Sequence, residues 1–583
     1  MRLTRPLLLR QISPPLPRLL LSSLIRSPLL CLALIAVATP SSISAAPVTA
    51  AMQIPGSFIS TPPDMTYFAL QGDTLSSIAK RYTERTQNWQ IIGKRNKISN
   101  DRAIPIGTPI LIPLDLLPEE ASEARVIAMT GNPAYKAVDG SSGNLALGSI
   151  VKEGTQISTD KNGFLTLALP DETRISIPSN SDVSLAKLRK TRYTGSPRTE
   201  VSLLQGKVES RVSPLSNNKG RYEVRTNLAV AGVRGTNFRV GVNTDGVANE
   251  VLEGGVAVNS AEGKKSDELI LPAGKGNVVS TSGVGKPIDL LTPPVMNDSF
   301  LLQERPTLLF QVEDRPEAVG YRVQIARDKE VLDVLAENRY KENRFKFDGF
   351  ADGNYFVRIT AIDKLGLEGL PMIKAFKMKA RPEPPFTVQP KNKVRAESLN
   401  FAWTEASNAI AYHLQVASDA GFRNLLIDKT DLKEAQFGAG RPKEGDYYWR
   451  VATIAPTNGQ TDHGPYSDVQ KFTVLPVTSM APPDDAGNLL SLSWSSEPGQ
   501  TFLIQVSTDA EFRKIYLSKE LDKAELKIKR PDAGVYFIRV RSTDPDGYVS
   551  AFTSTQKITL LPRWTSSDGS VIQSGSGPVG TNY

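Results

Sequence analysis

Few side chains in this 583-residue sequence are of the types that usually carry catalysis. There are two histidines, His413 and His463, and one cysteine, Cys31. A histidine becomes a general base or a metal ligand only beside a nucleophile, a carboxylate or further ligands. Neither has such company in the sequence: His413 takes a strand slot filled by Arg322 and Leu503 in two sister segments, and His463 lies in a loop beside Gly464 and Pro465. No P-loop, nucleophile-elbow or zinc-protease pattern occurs. Two carboxylates can act together from distant positions, but the acidic residues that stand out here lie in turns, in linkers or before a helix. The expectation is a chain that is not an enzyme, with no catalytic residue, no metal and no cofactor.

The N-terminus points to export. Arg2, Arg5, Arg10, Arg18 and Arg26 precede an apolar run from Pro28 to Ala38, and small residues follow at Ser41, Ser42, Ser44, Ala45 and Ala46. That order is a secretory signal peptide, expected over residues 1–46. Its apolar run is about half the ~20 residues a spanning helix needs. Cys31 would leave with the signal, so the mature chain would have no thiol or disulfide chemistry. Removing the five arginines lowers the formal charge from +8 to +3, so the basic balance belongs largely to the signal. With no Lys/Arg cluster interleaved with aromatics, a nucleic-acid partner is not expected.

Between Tyr67 and Pro113 the elements needed to hold a small site come close together. Leu75, Ile78, Ala79 and Tyr82 fall at i, i+3, i+4 and i+7, one face of a helix, and Asp73 or Thr74 can cap its first turn. A second helix is predicted around Asn88 to Arg95 with Trp89 and Ile92 inward, and Asn96 as its stop. Pro109 to Pro113 reads as a strand that pairs with Tyr67 to Ala69. This strand–helix–helix–strand order, with Gly72-Asp73-Thr74-Leu75, Asn96, Ile104, Gly107 and Ile112-Pro113, resembles the LysM family over residues 66–114. The resemblance implies a small βααβ module that binds peptidoglycan or a related N-acetylglucosamine glycan. It further implies a groove with Gly72, Asp73, Thr74 and Leu75 on one wall and Ile104, Pro105 and Ile106 on the other. Such a groove matches acetamido and hydroxyl groups through backbone amides, a hydroxyl and aliphatic walls.

Residues 115–130, with Glu119, Glu120 and Glu123, read as an acidic linker. From 131 to 290 short alternating strands dominate: Leu165–Leu169 and Arg174–Ile177 flank a turn, and Val201–Leu204 runs into Gln205-Gly206. Val233-Arg234-Gly235-Thr236, followed by Phe238, together with Gly148, Gly154, Thr159, Gly163, Gly206 and Gly254, resembles the FecR periplasmic domain. The resemblance implies an all-β fold at the cell envelope; Arg234, Gly235 and Thr236 are expected to form a tight turn.

The remainder repeats. Gln324, Gln415 and Gln505 sit in matching strings 91 and 90 residues apart, and Gly-x-Tyr-x-x-Arg recurs at Gly353, Gly445 and Gly534. Three β-sandwiches are predicted, over residues 300–380, 386–476 and 484–562, with Trp403 and Trp449 as core anchors. They resemble fibronectin type III or related immunoglobulin-like modules. Pro-rich joints at 381–385 and 481–483 should space them semi-rigidly, and the Ser/Gly-rich tail 563–583 should be disordered. The whole chain thus reads as multidomain, mainly β, a string of separable beads. The function these resemblances imply is a non-enzymatic exported protein of the periplasm or cell envelope. It would bind wall glycan and use its β domains to reach an unidentified envelope protein. The alternative is an envelope signalling component in which the FecR-like domain senses or regulates.

Overall fold

The computed structural model describes residues 54–99, 104–214, 220–233, 235–262, 268–457, 459–485, 488–564, 566–567, 572–574 and 577–579. The predicted signal peptide, Cys31 and Arg234 lie outside the described residues, as does part of the tail. The fold is multidomain and mainly β, as the alternating pattern predicts; among the described residues two α-helices occur, both in the N-terminal module. No described helix is long and apolar enough to cross a membrane.

In the N-terminal module, strand Asp64–Phe68 is central, pairing antiparallel with Pro109–Pro113 as predicted and with an unpredicted edge strand, Phe58–Thr61. Helix Leu75–Thr83 buries Leu75, Ile78, Ala79 and Tyr82, the spacing read from the sequence. Thr74 sets its start. The Thr74 hydroxyl accepts from the Ser77 amide at 3.1 Å and the Ser77 hydroxyl accepts from the Thr74 amide at 2.9 Å, which satisfies two backbone donors reciprocally. The second helix, Trp89–Asn96, buries only Ile92 and Gly93, so its contact stripe is narrow and Trp89, expected inside, stays 37% exposed at the rim. Asn96 does more than stop that helix. Its Nδ2 donates to the carbonyls of Ile92 and Leu111, each at 2.8 Å, and its Oδ1 accepts from the Leu111 amide at 2.7 Å, tying helix to strand. Leu114 and Leu117 complete the core, which therefore runs past the predicted end at 114.

The central β domain closes two sheets over one core that includes Val126, Leu167, Ile177, Val183, Val208 and Phe238. Strand Pro197–Arg211 belongs to both sheets. Its first half pairs with Asp182–Thr191 and Arg221–Arg225, and its second with Arg174–Ile177 and Asn237–Asn243. The crossing point is Gly206, at φ +79, where a Cβ would stand 2.4 Å from the Asn180 carbonyl. Residues 115–130 are not a linker: Glu119–Ala121 pairs with Arg189–Thr191, and Ala124–Thr130 pairs with Phe164–Ala168. The acidic run reads as solvated in the sequence because its basic partners come from far along the chain, Lys187 to Glu119 at 2.8 Å and Arg192 to Glu120 at 2.8 Å.

Each of the three repeats folds as a pair of packed sheets. Phe310, Trp403 and Trp494 are buried at matching places, and Trp449 is enclosed with its indole N–H on the Pro390 carbonyl at 3.0 Å. The repeats are not free beads, however. Lys379, at the first Pro-rich joint, bridges Asp352 at 3.2 Å and Asp462 at 2.7 Å. Arg395 of the second sandwich reaches Asp544 at 3.2 Å and also pairs with Glu497 of the third. In the tail, expected without order, Gln573–Ser574 pairs with Gly577–Pro578 as a minimal hairpin.

Candidate glycan groove and charged joint

Two loops meet at the top of the N-terminal module, because Ala69 uses both its backbone groups to hold them together. Its amide donates to the Thr108 carbonyl at 3.0 Å and its carbonyl accepts from the Gly107 amide at 2.7 Å. One loop, residues 70–74, leads into the first helix; the other, residues 104–108, leads into the last strand. All seven residues predicted for the groove fall on these loops or the first helical position.

Their side chains divide sharply. Leu75 is 0% exposed and Asp73 5%, so both point into the module. The Asp73 carboxylate accepts from the Tyr67 hydroxyl at 2.6 Å, the Leu70 amide at 2.9 Å and the Arg81 guanidinium at 2.9 Å. Burial alone would raise its pKa, but those donors hold it below the ordinary carboxylate range. Tyr67, buried and bonded to the Asp73 carboxylate, is pushed up to about 12 and stays a donor. Asp73 is thus the pin that shapes the loop, and the Thr74 hydroxyl is committed to the helix cap. Gly72, at φ +80, and Pro105 and Ile106 are exposed, and Ile104 is half-buried. Ile106 is 56% exposed, and on the other loop Leu70 is 41% exposed, a residue that sequence reasoning missed although it stands just ahead of Gly72. Among the described residues, the backbone amides of Gln71, Gly72 and Ile106 donate no hydrogen bond. The accessible chemistry is therefore the aliphatic surface of Leu70, Pro105 and Ile106 and the Gln71 side chain around unengaged peptide groups.

The contacts that seat the module on the central domain leave these two loops uncovered. Tyr193 packs edge-on to Phe58 and Tyr82 and donates to the Arg81 carbonyl at 3.1 Å, while Arg192 pairs with Glu84 and Arg198 with Asp115. None of the seven groove residues takes part.

Two further clusters were invisible in the sequence. The central domain and the first sandwich meet across nine charged side chains. Glu209 accepts from Arg358 at 2.8 and 2.7 Å and from Arg322 at 2.6 Å. Glu368 bridges Arg322 at 3.0 Å, Arg339 at 2.9 Å and Lys207 at 3.0 Å, while Glu250 holds Arg239 at 2.6 Å and Glu337 holds Arg322 at 2.6 Å. Phe164 seals one side against Ala326, Val331 and Val334. Burial opposes ionisation of Glu209 and Glu368, yet the surrounding guanidinium groups keep both carboxyl pKa values far below normal. The second cluster joins the two histidines, fifty residues apart: His413 Nδ1 lies 2.8 Å from His463 Nε2, and His413 Nε2 lies 2.5 Å from Asp428. Tyr466 joins it with its hydroxyl 2.8 Å from His413 Nδ1, and among the described residues no group of three or more His, Cys, Asp or Glu side chains is arranged to hold a metal.

Comparison with known proteins agrees with the two N-terminal units. Residues 70–113 match the LysM domain family and residues 155–257 match the FecR protein family. The chain carries a LysM domain and a FecR domain. No curated protein matches it. Among solved structures it is similar to two that are each assigned as an anti-sigma factor from Parabacteroides distasonis. The first is 21% identical, with a TM-score of 0.19, over 23% of this chain and 59% of that one; the second is 18% identical, with a TM-score of 0.19, over 24% and 68%. It is also similar to the chicken CNTN1 FN1-FN3 domains, at 15% identity and a TM-score of 0.18, over 46% of this chain and 98% of that one. Likeness at this level adds nothing to the fold described above.

Proposed function

We propose that the chain is a non-enzymatic exported protein that grips N-acetylglucosamine-containing wall glycan through the groove between residues 70–74 and 104–108. From there it holds its FecR domain and β-sandwiches in place for an envelope partner. The observation that carries this reading is the pairing of exposed Leu70 and Ile106 with unengaged backbone amides in a LysM domain. An acetamido methyl packs on aliphatic surface while its amide bonds to peptide groups, and no ionised side chain is required. Asp73 serves this site by fixing the loop, and Leu75 by anchoring it to the core.

The test is cosedimentation of the mature chain with insoluble peptidoglycan. Wild type should pellet, and a chain lacking residues 55–117 should not. Ile106→Asp, which puts a charge on the groove wall without touching the core, should weaken pelleting at unchanged melting temperature. Thr74→Ala should cost about 0.5–2 kcal/mol of stability through the lost cap and leave the glycan affinity of folded protein intact. Undiminished pelleting of the 55–117 deletion would place wall binding elsewhere and end this reading.

A further inference from the structure

In all three sandwiches a glutamine and an arginine face each other across neighbouring strands: Gln324 with Arg358, Gln415 with Arg450 and Gln505 with Arg539. Identical register makes the three faces directly comparable. Their fates differ. In the first sandwich the face is covered by the central domain, and Arg358 donates to both oxygens of Glu209 at 2.8 and 2.7 Å. The second supplies its own acid: Asp428, opposite Gln415, takes His413 at 2.5 Å and Gln415 at 3.3 Å.

The third has neither. Opposite Gln505, where the others carry Glu337 and Asp428, stands Ser518, and Leu503 replaces Arg322 and His413. Arg539 donates twice to Gln505 Oε1, at 2.9 and 2.7 Å, which orients its guanidinium. Phe512 and Phe552 lie 3.9 and 4.1 Å from it, so aromatic rings remove water from its flanks. Arg541, two residues on and therefore on the same face, stands 5.0 Å from Phe552. Among the described residues neither arginine forms an ion pair, although Glu520 lies opposite Leu503 on the adjoining strand. Burial and the neighbouring Arg541 both push the Arg539 pKa down, the reverse of what a seated carboxylate would do.

We propose that this face of the third sandwich is a docking surface for an extended segment of another protein. That segment would present a carboxylate, as strand Pro197–Arg211 presents Glu209 to the first sandwich, with apolar side chains two residues to either side of it on the same face. The oriented fork of Arg539, with Arg541 beside it, supplies charge-assisted donors, and Phe512, Phe552 and Leu503 supply the apolar surround. The proposal is independent of glycan binding at the N-terminus.

The test uses the purified mature chain and immobilised peptides, acetyl-Val-Ser-Glu-Ser-Val-amide, whose valines share the face of its Glu when extended, and its Gln counterpart, followed by interferometry. The Glu peptide should bind. Exchanging its Glu for Gln, or making Arg539→Gln or Arg541→Gln in the protein, should each weaken binding about tenfold or more, the scale of one lost charge-assisted contact. Should Arg539→Gln lower the melting temperature, Arg541→Gln, at a position whose side chain makes no hydrogen bond among the described residues, carries the result alone. Equal binding of the Glu and Gln peptides, no binding of either at millimolar concentration, or binding untouched by both substitutions would overturn the proposal. So would soluble wall fragments that lose binding with the same variants while the peptide does not.

Discussion

Glu209→Gln should release the first sandwich from the central domain. Glu209 is 11% exposed at its side chain and faces two guanidinium groups, but they depend on it unequally. Arg322 keeps Glu337 at 2.6 Å and Glu368 at 3.0 Å after the change, whereas no other carboxylate pairs with Arg358 among the described residues. The cost is therefore mainly that of an uncompensated, buried Arg358. Removing one partner of such a pair costs about 3–5 kcal/mol, because the remaining charge stays desolvated. For a unit of about 150–250 residues each kcal/mol moves the midpoint by roughly 2–4 °C, so the loss should be about 6–20 °C. Calorimetry of the mature chain would show the transition of the central domain and first sandwich falling or splitting in two, with the third sandwich unmoved. The double variant Glu209→Leu, Arg358→Leu should recover most of the loss, since an apolar replacement leaves no charge stranded. Superimposable traces for Glu209→Gln and wild type would refute the joint as a stabilising contact.

Acid should weaken the same joint in a defined window. Glu209 and Glu368 have folded pKa values depressed below their unfolded ones, so the stabilisation is complete above the ordinary carboxylate range, about 4.5, and is lost as pH falls below it. Melting temperatures measured from pH 8 down to pH 3 should stay level to about pH 5 and then drop, with a shallower drop in Glu209→Gln. In the second sandwich, Trp403→Ala should cost about 3–5 kcal/mol, because its ring is buried against Tyr412 at 5.5 Å. Calorimetry should show that sandwich melting earlier while the FecR domain is unchanged.

Local periodicity carried far in this chain. The face Leu75, Ile78, Ala79, Tyr82 and the strands around Pro170 were legible because three or four neighbouring residues determine them. The sandwich repeats were legible because Gln324, Gln415 and Gln505 recur at a near-constant interval. What stayed hidden depends on distant partners. Glu119 and Glu120 look like solvated linker until Lys187 and Arg192 arrive from another strand, and Trp89 looks inward until the second helix is seen to bury only its middle. The edge strand Phe58–Thr61 has no pattern of its own beyond its pairing with Asp64–Tyr67.

For the candidate site, residue type was a poor guide to which atoms the loops expose. Asp73 is the most chemically capable member of the groove string, yet its three donors from Tyr67, Leu70 and Arg81 leave it no role but support. Leu70 and Ile106 carry no functional label, yet they are what the loops expose. The same inversion holds at the other end of the chain. Arg358, Arg450 and Arg539 are one residue three times in the sequence, but their surroundings make the first a domain clamp, while the second and third are each held by a glutamine of their own sheet, the second with Asp428 opposite that glutamine. The third is left as an oriented cation without a carboxylate. A repeated motif therefore fixes where a guanidinium stands, and the neighbouring strands decide whether it closes a joint within the chain or remains available to a partner outside it.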